Sequence, residues 1–292
     1  RASHRGRSLM HEQPPAARPP GAPDDPADAP RAAPRRNPDE LRVYGLNACM
    51  AVFNTRPDDV RKVYLTQARL GALQPVLAWC VQRRLGYRVV ENADLDKLAQ
   101  TQHHEGVCFE VRRRPLLSLS TLLQNLPRAP KPVLLVWLDG VGNPHNFGAV
   151  LRSAANFGVH GLILARESAL NLSGAAMRVA EGGAEAVPIA QTVPGEDVFG
   201  ALRNAEISVA ATVPRAGESL YSSRLPERLV FVLGAEGGGL PQGLIDRADV
   251  HLTIPGSGAV ESLNVAASAA VLFGEYYRQR VAAPERHKFT KR

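Results

Sequence analysis

The sequence predicts an α/β protein: a mostly parallel sheet covered on both faces, set behind a smaller α/β module. Three observations predict it. Short apolar runs of strand type recur from VLLVWL (133–138) to VHLTIP (250–255), with helical patterns between them. That alternation gives parallel strands joined by crossover helices. Residues 41–115 carry a separate set of strand and helix patterns. Ahead of both, nine of the 23 prolines fall before residue 40, among alanine, arginine and aspartate. Such a stretch buries too little apolar surface to offset its ordering entropy.

The expected organisation is a disordered tail (1–40), a small module (41–115), a linker (116–132), a main domain (133–282) and a basic C-terminal tail (283–292). The first tail carries both signs of charge, so a solubilising leader and an RNA-tethering arm are both open readings. In the small module, VYGLNA (43–48) opens an apolar helical stretch through Met50, Val52 and Phe53. Clustered β-branched and aromatic residues make 60–65 a strand. Leu73, Val76, Leu77, Cys80 and Val81 repeat near 3.6 residues and make 73–85 a helix. YRVV (87–90) and VCFEV (107–111) are two further strands. In the main domain the strands are 133–138, 161–165, 186–190, 207–212, 229–234 and 250–255. Helices are expected over 146–157, 174–181, 196–206 and 262–280.

Composition narrows the function classes. The net charge is +7 and the sequence pI about 9.7, a balance that favours a polyanionic partner such as nucleic acid. Three cysteines without a C-x-x-C pair argue against a disulfide framework and a zinc site, and no metal is expected. No run reaches the roughly 18 apolar residues of a membrane helix. No apolar h-region opens the chain. The expected compartment is the cytoplasm.

In parallel α/β sheets ligands bind beyond the carboxyl ends of the strands, so the loops there carry the chemistry. Three are rich in glycine: DGVGNPHNFG (139–148), GAEGGGL (234–240) and IPGSGAVESLN (254–264). A Rossmann nucleotide site needs G-x-G-x-x-G after its first strand. Here Gly256 and Gly258 follow the last strand, and Glu261 stands where the third glycine belongs, which disfavours that enzyme class.

The three loops resemble a known family. NPHNFGAVLRSA (143–154) resembles motif 1 of the SpoU/TrmH family of SPOUT RNA methyltransferases; LGAEGGGL (233–240) resembles motif 2, and IPGSGAVESLNV (254–265) motif 3. All three occur in family order. VYGLNA (43–48) and HEGV (104–107) are similar to the family's ribosomal-protein-like substrate-binding domain. Two residues depart from the pattern: Gly256 stands where many members have methionine, and Glu261 where a small residue is common.

The resemblance implies a trefoil-knotted domain that transfers a methyl group from S-adenosyl-L-methionine to a ribose 2′-hydroxyl of structured RNA, ribosomal before transfer RNA. It places the cofactor against Gly234, Glu236, Gly237, Ile254, Ser262, Leu263 and Asn264, and assigns catalysis to Arg152, Asn146, Glu236 and Asn264. Arg152 lies off the apolar stripe of Phe147, Val150, Leu151 and Ala154, about 9 Å beyond Asn146 at about 1.5 Å per residue. The family proposal makes it the acceptor of the hydroxyl proton. Arginine stays protonated in proteins, so a fixed cation that steadies the alkoxide and grips a phosphate is physically easier. Asn146 has capping its helix as an alternative role; Ser262 and Asn264 have beginning the last helix, and Glu236 has a plain loop carboxylate.

In the small module Arg61, Lys62, Arg69, Arg83, Arg84 and Arg88 offer phosphate contacts, with a solvated basic face as the alternative. The resemblance also implies a threaded chain near 230–265 and a homodimer. Its expected seam uses the last helix, with Leu272, Phe273 and Tyr276 partly uncovered in one subunit, and the helix after Asn146. The competing class is a non-catalytic RNA-binding protein on a methyltransferase fold.

Overall fold

The computed structural model describes residues 37–235 and 237–282. Most of the expected N-terminal tail, the basic C-terminal tail and Glu236 lie outside the described residues.

The small module is a four-stranded sheet with helices. Its elements are β1 (Glu40–Tyr44), α1 (Leu46–Thr55), β2 (Val60–Leu65), α2 (Gln74–Gln82), β3 (Tyr87–Val89), α3 (Asn92–Ala99) and β4 (Val107–Arg112). The strand order is β1-β4-β2-β3, with β3 on an edge. Residues 43 and 44, expected to open a helix, close β1 instead. Val43 and Tyr44 are strand-forming types, and Gly45 at φ 90° turns the chain before the helix starts.

The main sheet has eight parallel strands. They arise from β5 (Leu117–Ser118), α4 (Leu119–Gln124), β6 (Val133–Leu138), α5 (Pro144–Asn156), β7 (Gly161–Leu164), α6 (Gly174–Ala180), α7 (Gly183–Ala186), β8 (Ile189–Gln191), α8 (Val198–Asn204), β9 (Ser208–Thr212), β10 (Glu218–Ser219), β11 (Arg228–Leu233), α9 (Gln242–Ile245), β12 (Val250–Thr253) and α10 (Val265–Arg280). The order is β10-β12-β9-β11-β6-β7-β8-β5. Residues 116–132 are thus more than a connector: β5 extends the sheet edge beside β8, and Leu119 and Leu122 of α4 are buried. The spaced leucines fit helix burial, but the prolines that follow obscure it.

β6 shows why the sheet is covered twice. All six of its residues are buried. Leu134, Val136 and Leu138 enter one core with α5 and α10, while Val133, Leu135 and Trp137 enter another with α8. This is the pleat's alternation with both faces apolar.

α10 starts at Val265, three residues later than expected, because Asn264 caps it: its Oδ1 accepts from the backbone N–H of Ala266 at 2.9 Å and of Ala267 at 3.4 Å. Leu272, Phe273 and Tyr276 are 0, 0 and 3% exposed, so the expectation that they lie partly uncovered is wrong. The stripe turns inward: Phe273 packs with Phe231 of β11, centroids 6.5 Å apart, and the Tyr276 hydroxyl donates to the Glu227 carbonyl at 2.5 Å. Among the described residues no helix is long and apolar enough to cross a membrane, and no group of three or more His, Cys, Asp or Glu could hold a metal ion.

Candidate active site

β6 runs outward to β7 and β8, and the later strands fill in on its other side. β11 lies along the whole of β6, pairing Leu233 with Leu138. The loops after these strands therefore leave the sheet side by side, and Asp139 N donates to the Leu233 carbonyl at 2.9 Å. A Cβ on Gly140 would lie 3.0 Å from Cβ of Ala235. Crossovers of this kind open ligand crevices at the carboxyl edge.

That edge holds a cavity of about 1090 Å³, at the upper end of small-molecule sites. Two expected loops line it: Gly234, Ala235 and Gly237–Leu240 from one, and Ile254–Gly258 with Val260–Val265 from the other. The glycines have a steric reason. A Cβ on Gly234 would collide with the backbone of Gly239, across the pairing of Ala235 with Gly239. Gly239 N donates to the Ala235 carbonyl at 3.0 Å, and Gly237 and Gly239 take φ of 86° and 64°, a region open mainly to glycine. A folded-back loop of this kind presents backbone rather than side chains to the cavity.

The structure thus brings Gly234, Gly237, Ile254, Ser262, Leu263 and Asn264 to one cavity. Asn264 also reaches motif 1, where its Nδ2 donates to Asn146 Oδ1 at 3.1 Å. Asn146 is not its helix's cap. Asn143 is, accepting from His145 N at 2.8 Å with Pro144 at the first helical position. The alternative reading of Asn146 as the cap falls because Asn143, three residues earlier, takes that place and leaves Asn146 within the first turn. Arg152 is exposed and off the buried face. It does not line the cavity; it lies beyond Asn146 along α5.

Other lining residues went unforeseen: Thr212 at the end of β9, Val213, Pro214 and Arg215 after it, and Tyr221. β9 pairs with both β11 and β12, so its end opens on the same edge. The strand was legible, but its place in the sheet was not. Arg215 and Glu261 approach to 3.8 Å, both about four-fifths exposed, an arrangement worth little in stability. Val260, Leu263 and Tyr221 are exposed and rim the mouth. Beside motif 1, burial pushes the Asp139 carboxyl up from its ordinary value, and the charge of Glu167 adds to it.

The six expected phosphate contacts divide. Arg61, Arg84 and Arg88 are exposed. Arg83 is also exposed and approaches Asp58 to 3.7 Å. Lys62 lies over the Tyr64 ring, 5.1 Å from its centroid. Arg69 is half-buried and its Nε donates to the Glu105 carbonyl at 2.6 Å, so part of its guanidinium braces a loop. Basic residues look alike in sequence, and burial separates them.

The family model for the SpoU rRNA methylase family matches residues 133–274, and the model for RNA 2′-O ribose methyltransferase substrate binding matches 42–116. The 23S rRNA (guanosine-2′-O-)-methyltransferase RlmB of Pectobacterium atrosepticum is 33% identical over 82% of this chain and 98% of its own length. The chain belongs to the SpoU family. The uncharacterized tRNA/rRNA methyltransferase YfiF of Escherichia coli O157:H7 is 38% identical over 85% of this chain and 71% of its own. Among solved structures, the SpoU methyltransferase AviRb from Streptomyces viridochromogenes, in complex with AdoMet, aligns at TM-score 0.69 with 24% identity, covering 84% of this chain and 92% of that one. The fold is therefore that of the SPOUT methyltransferases. As a SpoU-family member the chain is an RNA 2′-O-ribose methyltransferase, with S-adenosylmethionine as its methyl donor. The cavity fits that donor in volume, and its glycine-backed wall lets backbone approach an adenosyl group.

Proposed function

We propose that this chain methylates a ribose 2′-hydroxyl in ribosomal RNA, with a guanosine of the large-subunit RNA as the first target to test. The observation that carries the reading is the Asn264–Asn146 hydrogen bond, which joins the cavity wall to the helix bearing Arg152. The ribosomal target is supported by the likeness to the 23S rRNA (guanosine-2′-O-)-methyltransferase RlmB, which extends over nearly all of that protein's length.

Gly234, Gly237, Ile254, Ser262, Leu263 and Asn264 would hold the cofactor, with Glu236 between the first two. The bound cofactor supplies an electrophilic methyl group on a sulfonium. Asn146 and Asn264 orient the ribose, and Arg152 steadies the charge that develops on its 2′-oxygen and grips a neighbouring phosphate. A guanidinium is suited to both tasks because it keeps its charge and donates in a planar fork. The basic face of the small module, Arg61, Lys62, Arg83, Arg84 and Arg88, holds RNA through phosphates.

The same reading includes a threaded chain near 230–265, a homodimer and a cytoplasmic location. We put the dimer seam on the outer faces of α5 and α10 and their ends, where Tyr277 and Val281 are exposed and the Phe157 ring packs at a tilt against Tyr277, centroids 6.0 Å apart. The test is labelled methyl transfer to ribosomal and transfer RNA fractions from cells lacking this protein. Preferential labelling of the ribosomal fraction is expected. Labelling of transfer RNA alone would overturn the ribosomal assignment.

A further inference from the structure

The small module and the catalytic domain fall in one compact unit, and the two segments that carry the small module's family resemblance both lie on its seam with the catalytic domain. One oxygen of Glu105 accepts from Leu46 N at 3.0 Å, at the start of α1; the other pairs with Arg178 of α6 at 2.7 Å. Arg178 Nε donates to the His103 carbonyl at 2.8 Å, and Asn47 Nδ2 donates to Glu181 at 2.6 Å. A Cβ on Gly174 would collide with the Arg42 carbonyl and the Tyr44 ring, so α6 lies directly against β1. The apolar core is continuous across the seam, from Val43 and Val52 to Leu151 and Met177.

At the far end stands Glu185 of α7, its side chain 2% exposed. It takes Arg56 as a fork, with Nε at 2.9 Å and the terminal nitrogen at 2.8 Å. Arg56 in turn donates to Asp59 at 3.2 Å and to the Arg112 carbonyl at 2.8 Å. α7 also packs on the catalytic helix: a Cβ on Gly183 would lie 2.6 Å from the Leu151 carbonyl oxygen and 3.1 Å from Cα of Arg152. One short helix therefore touches both the small module and the backbone of Arg152. A buried, forked pair is a demanding device, since losing one partner leaves the other's charge poorly met: Glu185 would keep Arg114 at 3.7 Å and a Thr55 hydroxyl at 3.5 Å, and Arg56 would keep Asp59 and the Arg112 carbonyl. Its directionality specifies an orientation that an apolar seam leaves free to slide.

We propose that Glu185 is a positioning residue for methyl transfer: its pairing with Arg56 docks the RNA-holding module in one orientation and so sets where bound RNA meets Arg152. The inference rests on the role given above to Arg152. In this account residues 43–48 and 104–107 serve the dock, and the RNA face is the arginine-bearing side of the module.

The test uses the full chain with spin labels on Gln82→Cys and Asn156→Cys, both exposed sites; the native cysteines are buried. With the doubly labelled chain diluted in excess unlabelled chain, so that only the pair within one subunit is read, a single narrow distance is expected in the otherwise unaltered protein. Glu185→Gln, and Arg178→Gln at the other end of the seam, should broaden it. Both should lower kcat on saturating RNA at least tenfold, with S-adenosylmethionine affinity within twofold by calorimetry. Glu185→Asp should recover part of kcat. A broad distance in the unaltered chain, or full kcat and KM in both variants, overturns the proposal; so does kcat loss only in step with cofactor affinity. If the unaltered chain methylates no RNA, the functional reading fails, and the distance distribution still decides the dock.

Discussion

Asn264 and Asn146, 118 positions apart in the chain, share a hydrogen bond of 3.1 Å from Nδ2 to Oδ1. The same Asn264 accepts two backbone N–H groups at the start of α10. Its Oδ1 is thus spent on the cap, which leaves its Nδ2 side facing motif 1. Asn264→Ala should cost about 1 kcal/mol of stability as a lost cap, and methyl transfer should fall further than stability. Asn264→Asp keeps the cap acceptor and loses the donor. Near-normal stability by denaturant melting with strongly reduced turnover is expected, and normal turnover would show the bridge to be dispensable.

Arg152 makes no ion pair or side-chain hydrogen bond among the described residues and stands exposed on α5. Arg152→Ala should therefore leave the melting temperature unchanged and S-adenosylmethionine affinity nearly so. Single-turnover methyl transfer should fall by about 100-fold or more, as when a transition-state donor is removed. Near-normal turnover would sink the assignment.

Leu272 lies in the core rather than at a subunit seam. Leu272→Ala should cost about 2–5 kcal/mol in urea unfolding without changing the oligomeric state of the folded protein. Tyr277→Asp, on the outer face of α10, should do the reverse: small loss of stability and a lighter particle by light scattering. A dimer that survives Tyr277→Asp intact would move the seam elsewhere.

Half the site was legible in sequence because its residues sit in contiguous loops. The glycines of 234–240 and 254–258 are next to the strands they follow, so their place at the sheet edge followed from the strand pattern. The end of β9 was missed because its neighbours β11 and β12 are set by a crossover no local pattern encodes. The burial of Leu272, Phe273 and Tyr276 was misjudged for the same kind of reason: periodicity gives a helix an apolar stripe but not the surface that covers it. The dock is subtler still, since nothing in the sequence sets Glu185 and Arg56 apart from other charged residues until α7 and the end of α1 are brought together.

Arginines that look alike should behave differently. Arg61→Ala, Arg84→Ala and Arg88→Ala should each weaken RNA binding and reduce the salt slope by about 1, with no change in melting temperature. Arg69→Ala should lower the melting temperature, because its Nε holds the Glu105 carbonyl. Filter binding across a salt series and thermal melts separate the two outcomes; an unchanged slope in all three exposed variants would move RNA off this face.

His160 supplies a pH test. Burial, and then the charge of Arg228, lower its pKa from the ordinary 6.5, and its Nδ1 accepts from Leu134 N at 3.2 Å. The unfolded chain therefore takes up this proton at higher pH than the folded one. The stability that the neutral ring contributes is complete above about pH 6.5 and is lost as pH falls through the lower, folded value. His160→Gln should flatten this part of the stability profile. An unchanged slope would mean the ring titrates alike in both states.

The most direct test of the account is where the methyl group ends up. Purified protein, S-adenosylmethionine labelled in its methyl group, and ribosomal RNA from cells lacking the protein are incubated, and the product is hydrolysed in alkali. A methylated 2′-oxygen cannot assist cleavage, so the account predicts label in an alkali-resistant dinucleotide, abolished by Arg152→Ala. Label recovered in mononucleotides, as base methylation leaves it, or no label in RNA at all, would contradict it.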